Sequence, residues 1–357
     1  MNKIHLLIVN FIILLVVTGC SSEQNIIDDI DLVTAVGYDY IDENHVRGTV
    51  SIPIFKPDKS ITSGTFSSIS TLLRENRAKL DSESNKPLLS GKLELALYNE
   101  MLAKHGIYDY LDYLNRDPSV GSHVFLAVVE GNAKDYLTKK YETQDTGLYI
   151  SGILEKNMKR GTIPKTNLHQ MLYTYYSKGA DLFLPLLVLK DDKVKINGIA
   201  LFKGEKYVGK ISFNELFAFR TLVEDYKFGI YPLHIQKSSA DLENIKSRRH
   251  YRVDNTGSIP RVNIDIEIEG VIREYKGTAM NHEVIQRLEN QFEERLNKDY
   301  QRIISRTQAL KVDSLGIGDI LNSRIRNFDF KRYKDYYPEM SIEAKVKVNI
   351  TEYGVTQ

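Results

Sequence analysis

Apolar residues in this chain follow two rhythms, one of period two and one of helical period, and the two alternate along the sequence. Segments 32–38 and 46–55 are rich in β-branched and aromatic residues and flank the turn-forming run Asp42-Glu43-Asn44, which predicts a hairpin. The Ser/Thr-rich stretch 61–70 reads as a loop. It leads into a helix over 72–80, where Leu72, Leu73, Asn76 and Leu80 share a face and Lys86-Pro87 prevents continuation.

From Ser90 to Leu137 the pattern switches repeatedly: strand-like LELALY, helical NEMLAKHG and IYDYLDYLNRDP, strand-like HVFLAVVEG, then helical NAKDYLTKK. Such switching predicts helices packed on a sheet. Residues 147–178 read as helical with breaks at Gly161 and Pro164, 183–189 as a short apolar strand, and the charged run 190–195 as a linker or hairpin tip. A second half is predicted from Ile196, opening with strands 198–202 and 207–211 around the turn Lys203-Gly204-Glu205-Lys206. Strands 261–269 and 271–275 follow, the first alternating Val262, Ile264, Ile266 and Ile268 with polar residues, which marks a sheet with one wet face. Asn281 is placed to cap a long helix, 281–310, whose Ile285, Leu288, Phe292, Leu296 and Ile303 recur at helical spacing. An alternating strand from Ile342 to Ile350 closes the chain. The predicted fold class is therefore α+β, several small mixed domains of sheets with packed helices: an N-terminal region over 32–195, with room for two subdomains, and a C-terminal domain over 196–357.

The start of the chain obeys neither rhythm. After Lys3 the run Leu6 to Val17 is apolar throughout, a length suited to the core of a signal peptide rather than to a membrane-spanning helix. Val17-Thr18-Gly19-Cys20 follows at once, an aliphatic residue and two small ones before cysteine, the pattern of a bacterial lipobox. Residues 1–19 are then a signal peptide, and the Cys20 thiol accepts a diacylglyceryl group at the N-terminus of the mature chain. The polar, acidic stretch 20–31 is its tether. Two acyl chains suffice for stable anchoring where one does not. Cys20 is the single cysteine in the sequence, which removes disulfides and thiolate metal sites from consideration.

Composition narrows function further. Lys and Arg total 48 against 47 for Asp and Glu, so no global field draws in a polyanion, and a dedicated nucleic-acid binder is not expected. Gly204 to Ile211 approaches a phosphate-binding loop but puts Ile211 where a hydroxyl would ligate magnesium, inside a predicted hairpin; the glycines then serve the turn. The histidines, His5, His45, His105, His123, His169, His234, His250 and His282, show no metal-ligand spacing. No nucleophile elbow or dinucleotide fingerprint is present, so neither an enzyme nor a cofactor is expected. Lys246, Arg248, Arg249, His250 and Arg252 form a basic cluster, read as a solvated loop or, alternatively, as a contact for anionic headgroups. Twenty-two tyrosines, clustered as Tyr108, Tyr110 and Tyr113 or Tyr173, Tyr175 and Tyr176, suit either half-buried helix faces or contact surfaces.

From Leu89, LSGKLELALYNEMLAKHGIYDYLDYLNRDPSVGSHVFLAVVEGNAKDYL resembles the central block of the Ger(x)C lipoproteins, the C subunits of spore germinant receptors. The features carrying the likeness are the Gly91-Lys92 turn, the helix end Ala103-Lys104-His105-Gly106, the break Arg116-Asp117-Pro118 and the helix start Gly131 to Asp135. Near the other end, Asp313-Ser-Leu-Gly316-Ile-Gly318 and the tyrosine-rich and β segments after it look like the same family. The family pattern usually places tryptophan after the lipid cysteine and near the C-terminal block; this chain has none, leaving Phe328, Tyr333 and Tyr336 for the later positions. The resemblance implies small α+β domains, anchorage on the outer face of the spore inner membrane, and integral membrane partners, the A and B subunits. It also implies a role in receptor assembly and germination signalling without catalysis. Two other readings stay open: an envelope lipoprotein that binds a small ligand directly, and a surface hydrolase with dispersed catalytic residues.

Overall fold

The computed structural model describes residues 26–141, 144–235, 238–277 and 279–353. The signal peptide and Cys20 lie outside the described residues. β1 (Asp31–Leu32) and β5 (Leu88–Leu89) pair in parallel as a two-stranded sheet, separate from an eight-stranded mixed sheet. Its members are β2 (Ala35–Tyr40), β3 (Val46–Phe55), β4 (Ile61–Ser70), β6 (Leu95–Asn99), β7 (Phe125–Val129), β8 (Phe183–Lys190), β9 (Lys193–Lys203) and β10 (Lys206–Ser212). Their order is β10-β9-β8-β7-β6-β2-β3-β4: four parallel strands in the middle and an antiparallel hairpin at each edge.

Central parallel strands need apolar residues on both faces, because helical crossovers cover both. In β6, Leu95 and Leu97 point to one core and Ala96 and Tyr98 to the other, all fully buried. Helices α1 (Leu73–Glu83), α2 (Glu100–His105), α3 (Tyr108–Arg116) and α6 (Leu168–Tyr176) cover one face through Leu80, Leu102, Leu111, Leu168 and Met171. The opposite face is covered by α4 (Ala133–Thr138) and α5 (Thr146–Lys159), through Tyr136, Leu137, Ile150 and Leu154.

A second sheet has the order β11 (Ile230–Ile235), β12 (Ser238–Asp254), β13 (Arg261–Lys276) and β14 (Ile342–Tyr353). After α7 (Leu216–Val223), the long helix α8 (His282–Ala309) lies on its inner face, followed by α9 (Ile317–Arg324) and α10 (Phe330–Tyr336). The Asn281 side chain accepts from the Val284 N–H, as an N-cap should, and Leu288, Phe292, Leu296 and Ile303 are buried against Val262, Ile264, Ile266 and Ile268. α8 also closes the free edge of β14. Glu289, Glu293 and Asn297 accept from the backbone N–H of Ile350, Val348 and Val346 at 2.8, 2.9 and 3.0 Å. The match is geometric: four helical residues rise about 6 Å, two strand residues about 6.7 Å.

Several expectations change. The stretch 61–70 is not a loop but the edge strand β4, paired residue for residue with β3 from Ile61↔Phe55 to Ser70↔Val46. An edge strand keeps its place by backbone pairing, and its hydroxyls find partners such as Thr49 Oγ1 to Ser67 Oγ at 2.9 Å, so apolar alternation is not required. Leu72 does not share the buried face of α1; it precedes the helix and is exposed. Strands 198–202 and 207–211 do not open a second sheet. They lie within β9 and β10, β9 pairing with β8 and β10 with β9, so the eight-stranded sheet continues through residues 195 and 196, and Lys190 to Lys193 is the tip between β8 and β9. The basic cluster is likewise no loop but part of β12.

Candidate functional site

Where the first sheet meets the second part of the chain, the segment after α6, the β9–β10 turn and the segment after α8 enclose a cavity of about 190 Å³. Its floor is two aspartates. Asp313 accepts from the N–H groups of Ile317 and Gly318 at 3.0 and 2.7 Å, the start of α9, and from Tyr333 Oη at 2.6 Å. Asp181 accepts from the Asp313 N–H at 2.7 Å and the Gly204 N–H at 3.3 Å, and its own N–H donates to the Asp313 carbonyl at 2.8 Å. Burial pushes the Asp313 carboxyl up from 3.8 to about 7, against the bonds it accepts, and raises Asp181 as well.

The segment Asp313 to Gly318 is thus the joint between the two parts of the chain. Gly318 and Gly179 approach so closely that a Cβ on Gly318 would meet the Gly179 Cα at 2.8 Å, and Ser177 Oγ donates to Asp319 at 2.8 Å. Phe328, Tyr333 and Tyr336 form an aromatic cluster over this joint, with Phe328–Tyr333 and Tyr333–Tyr336 ring centroids 5.5 and 5.7 Å apart. Lys178, Lys203, Lys311 and Lys334 rim the cavity, and its lining includes no histidine. The carboxylates here cap a helix and clamp backbone; they are not a free acid–base pair.

The two tyrosine clusters singled out in the sequence converge beside this cavity. Tyr108 on α3 stacks on Tyr175 of α6 at 4.4 Å, its hydroxyl lies 3.2 Å from that of Tyr176, and Tyr175 meets Tyr176 edge-on at 5.5 Å. The shared hydrogen bond with Tyr176 pushes Tyr108 up to about 12. Tyr173 and Tyr176 remain 71% and 61% exposed, whereas Tyr110 packs inward against Tyr38 at 4.9 Å. The result is an aromatic platform facing water, with Glu205 pinning its base through a bond accepted from the Tyr108 N–H at 3.3 Å. That bond and the one from Gly204 to Asp181 occupy the turn that resembled a phosphate loop.

The basic cluster is neutralised by its neighbour. On the outer face of the second sheet Lys246, Arg248 and His250 lie opposite Glu269, Glu267 and Asp265, and Glu267 and Asp265 are flanked on β14 by Lys347 and Lys345. Arg252 reaches Asp265 at 2.8 Å, and Arg249 turns to Asp225 at 3.0 Å. Sequence reading did not find the Asp181–Asp313–Tyr333 joint, although the Asp313 to Gly318 segment was its signal. A second concave surface, lined by Phe213, Phe217, Phe228, Ile230 and Tyr231, had none.

Comparison with known proteins places these features in context. The model described as the spore germination protein N-terminal domain matches residues 23–189, and that described as spore germination B3/GerAC-like, C-terminal, matches 197–354. The chain is 31% identical over 345 residues to the spore germination protein GerQC of Bacillus cereus, covering 95% of this chain and 96% of that one. It is 22% identical to spore germination protein B3 of Bacillus subtilis (strain 168), over 74% of this chain and 73% of the relative. The crystal structure of the GerBC protein superposes with a TM-score of 0.61 at 16% identity, covering 88% of this chain and 96% of that one, a likeness of fold.

Proposed function

Because this chain belongs to the Ger(x)C family of spore germination proteins, we propose that it is the lipid-anchored subunit of a nutrient germinant receptor, held through Cys20 on the outer face of the spore inner membrane. It works there with the integral membrane A and B subunits in receptor assembly and signalling, by contact rather than catalysis. The observation that carries this reading is the family match across both parts of the chain, residues 23–189 and 197–354.

Physical features support it. No described helix is long and apolar enough to cross a membrane, and the lipobox offers a route of attachment. Confinement to a surface raises the effective concentration of membrane partners, so modest patches such as the tyrosine platform suffice for a complex.

The test is dipicolinate release across a nutrient panel from spores lacking this gene, complemented with the wild-type or the Cys20→Ala chain. Loss of release for one nutrient class, restored only by wild type, is the expected result. Normal release for every nutrient would reject the receptor role, and full rescue by Cys20→Ala would reject the anchor.

A further inference from the structure

The β3–β4 hairpin runs past β2. β3 is paired to β2 only as far as Ser51↔Ala35, yet continues to Phe55, about 13 Å further at strand spacing. At that end Phe55 is 74% exposed and Ile54 44%, both apolar, and the turn Lys56-Pro-Asp-Lys59 beyond them is exposed as well. Asp58 is engaged inside the turn, accepting from the Ser60 N–H at 2.9 Å and the Ser60 hydroxyl at 2.6 Å, so the tip has a fixed shape. Below the tip the start of α5 braces the hairpin, with Ser63 Oγ accepting from the Thr146 N–H at 2.7 Å and donating to Asp145 at 3.0 Å, so what projects is the apolar pair followed by a turn that carries two lysines.

The chain enters the fold at this same end. β1 leads directly into the paired start of β2, and the Thr34 N–H donates to the Ser51 carbonyl at 2.9 Å. Ile26, the first described residue, is 64% exposed. It is six positions after Cys20 in the sequence, a reach of at most about 22 Å. A lipid on Cys20 therefore holds the bilayer within a short span of the end from which Phe55 projects.

We propose that the hairpin tip is a second membrane contact: Phe55 and Ile54 enter the acyl–headgroup boundary while Lys56 and Lys59 meet anionic headgroups. The occupant is a lipid surface, and the proposal rests on the anchoring of Cys20 put forward above. One apolar pair holds no protein on a bilayer by itself, but beside a lipid anchor it fixes orientation, and so decides which faces the membrane partners meet. Charge adds little, because Asp58 lies in the same turn between Lys56 and Lys59; apolar insertion is the main contribution.

The absence of tryptophan supplies the test. Full-length lipidated protein carrying Phe55→Trp, or Met101→Trp as control, is reconstituted into phosphatidylglycerol/phosphatidylcholine vesicles with and without brominated acyl chains. Met101 is 48% exposed and follows the opposite end of β6, near Tyr40, which lies nine residues of β3 away from the tip through Val46↔Tyr40. A blue shift and bromine quenching of the indole signal in the Phe55→Trp protein, with the control unchanged, is the expected result. Co-flotation with vesicles while both reporters stay unquenched would overturn the tip contact and leave the anchor standing. A shift that appears only when integral membrane subunits are added would overturn it in favour of a protein contact. Should intact mass show Cys20 without lipid, its lone thiol is coupled to a maleimide lipid and the same quenching decides the tip independently of the anchor.

Discussion

The two sheets of this molecule treat their faces differently. The eight-stranded sheet buries both faces under its own helices, and its accessible features are at ends and edges: the β3–β4 tip and the tyrosine platform. The four-stranded sheet buries one face under α8 and turns the other to water as three strands of alternating charge. The contrast shows where each chemistry has energetic weight. Carboxylates that face inward act on backbone N–H groups and fix the architecture, whereas those facing outward meet cations in water and fix little.

The largest effect belongs to the core that the two sheets share, since one continuous cluster of buried residues runs from Leu95 and Leu97 to Ile264, Phe292 and Ile303. Phe292→Ala, at a fully buried position 6.3 Å from the Tyr231 ring, is expected to cost about 3–5 kcal/mol in urea unfolding. Because the cluster is shared, circular dichroism and tyrosine fluorescence should report one transition. Two separated transitions would break the comparison, making the sheets independent units.

Next comes the joint. Asp313→Ala strands two N–H groups and the Tyr333 hydroxyl, an expected loss of about 2–3 kcal/mol. The pH dependence carries a sign. The folded carboxyl, near 7, lies above its ordinary 3.8, so folding takes up a proton between those values. The contribution is fully present below about pH 4 and is lost as pH rises through 7. Asp313→Asn cannot take up this proton, so its deficit relative to wild type should grow as pH falls from about 7.5 to about 5 in thermal melts at fixed salt. An equal deficit at both values would mean Asp313 is ionised throughout.

What was legible from sequence follows the same division. The β6 strand, the alternating first part of β13, the α8 face and its Asn281 cap were readable because local period and capping chemistry decide them, whereas the two strands expected over 261–269 and 271–275 are one, continuous through an irregularity at Gly270/Val271. β4 was not, since Ser and Thr on an edge strand carry no apolar alternation and only the partner strand reveals the pairing. Nor was the allegiance of β9 and β10: a hairpin looks the same whichever sheet it joins, and the choice is made by β8. The Asp181–Asp313 contact spans more than a hundred residues and leaves no local mark beyond the glycines that permit the approach of Gly179 to Gly318.

A smaller effect tests how the second sheet closes its edge. Glu293→Ala removes the acceptor for the Val348 N–H and should cost about 1–2 kcal/mol, with faster hydrogen exchange confined to the amides near Val348. Glu293→Gln retains an acceptor oxygen and should recover most of the protection. Equal exchange in both variants would mean that water serves the edge as well as the helix does.

The smallest effect is expected on the outer face, where the basic cluster read from sequence as a solvated loop lies on β12. Neighbouring strands lie about 4.8 Å apart, well inside a Debye length of about 8 Å at physiological salt, so the field of Lys246, Arg248 and Arg252 is cancelled by Glu269, Glu267 and Asp265 before it reaches a membrane or partner. Arg248→Ala and Glu267→Ala should each shift stability by no more than about 0.5 kcal/mol, and their double-mutant coupling should fall at about 0.2–1 kcal/mol. By the same reasoning, changing Lys246, Arg248 and Arg252 together to Gln should leave association with anionic vesicles unchanged. A weakened association in the triple variant would show that the ladder projects its positive charge outward, and would move the membrane-facing side of the molecule from the end of the first sheet to the face of the second.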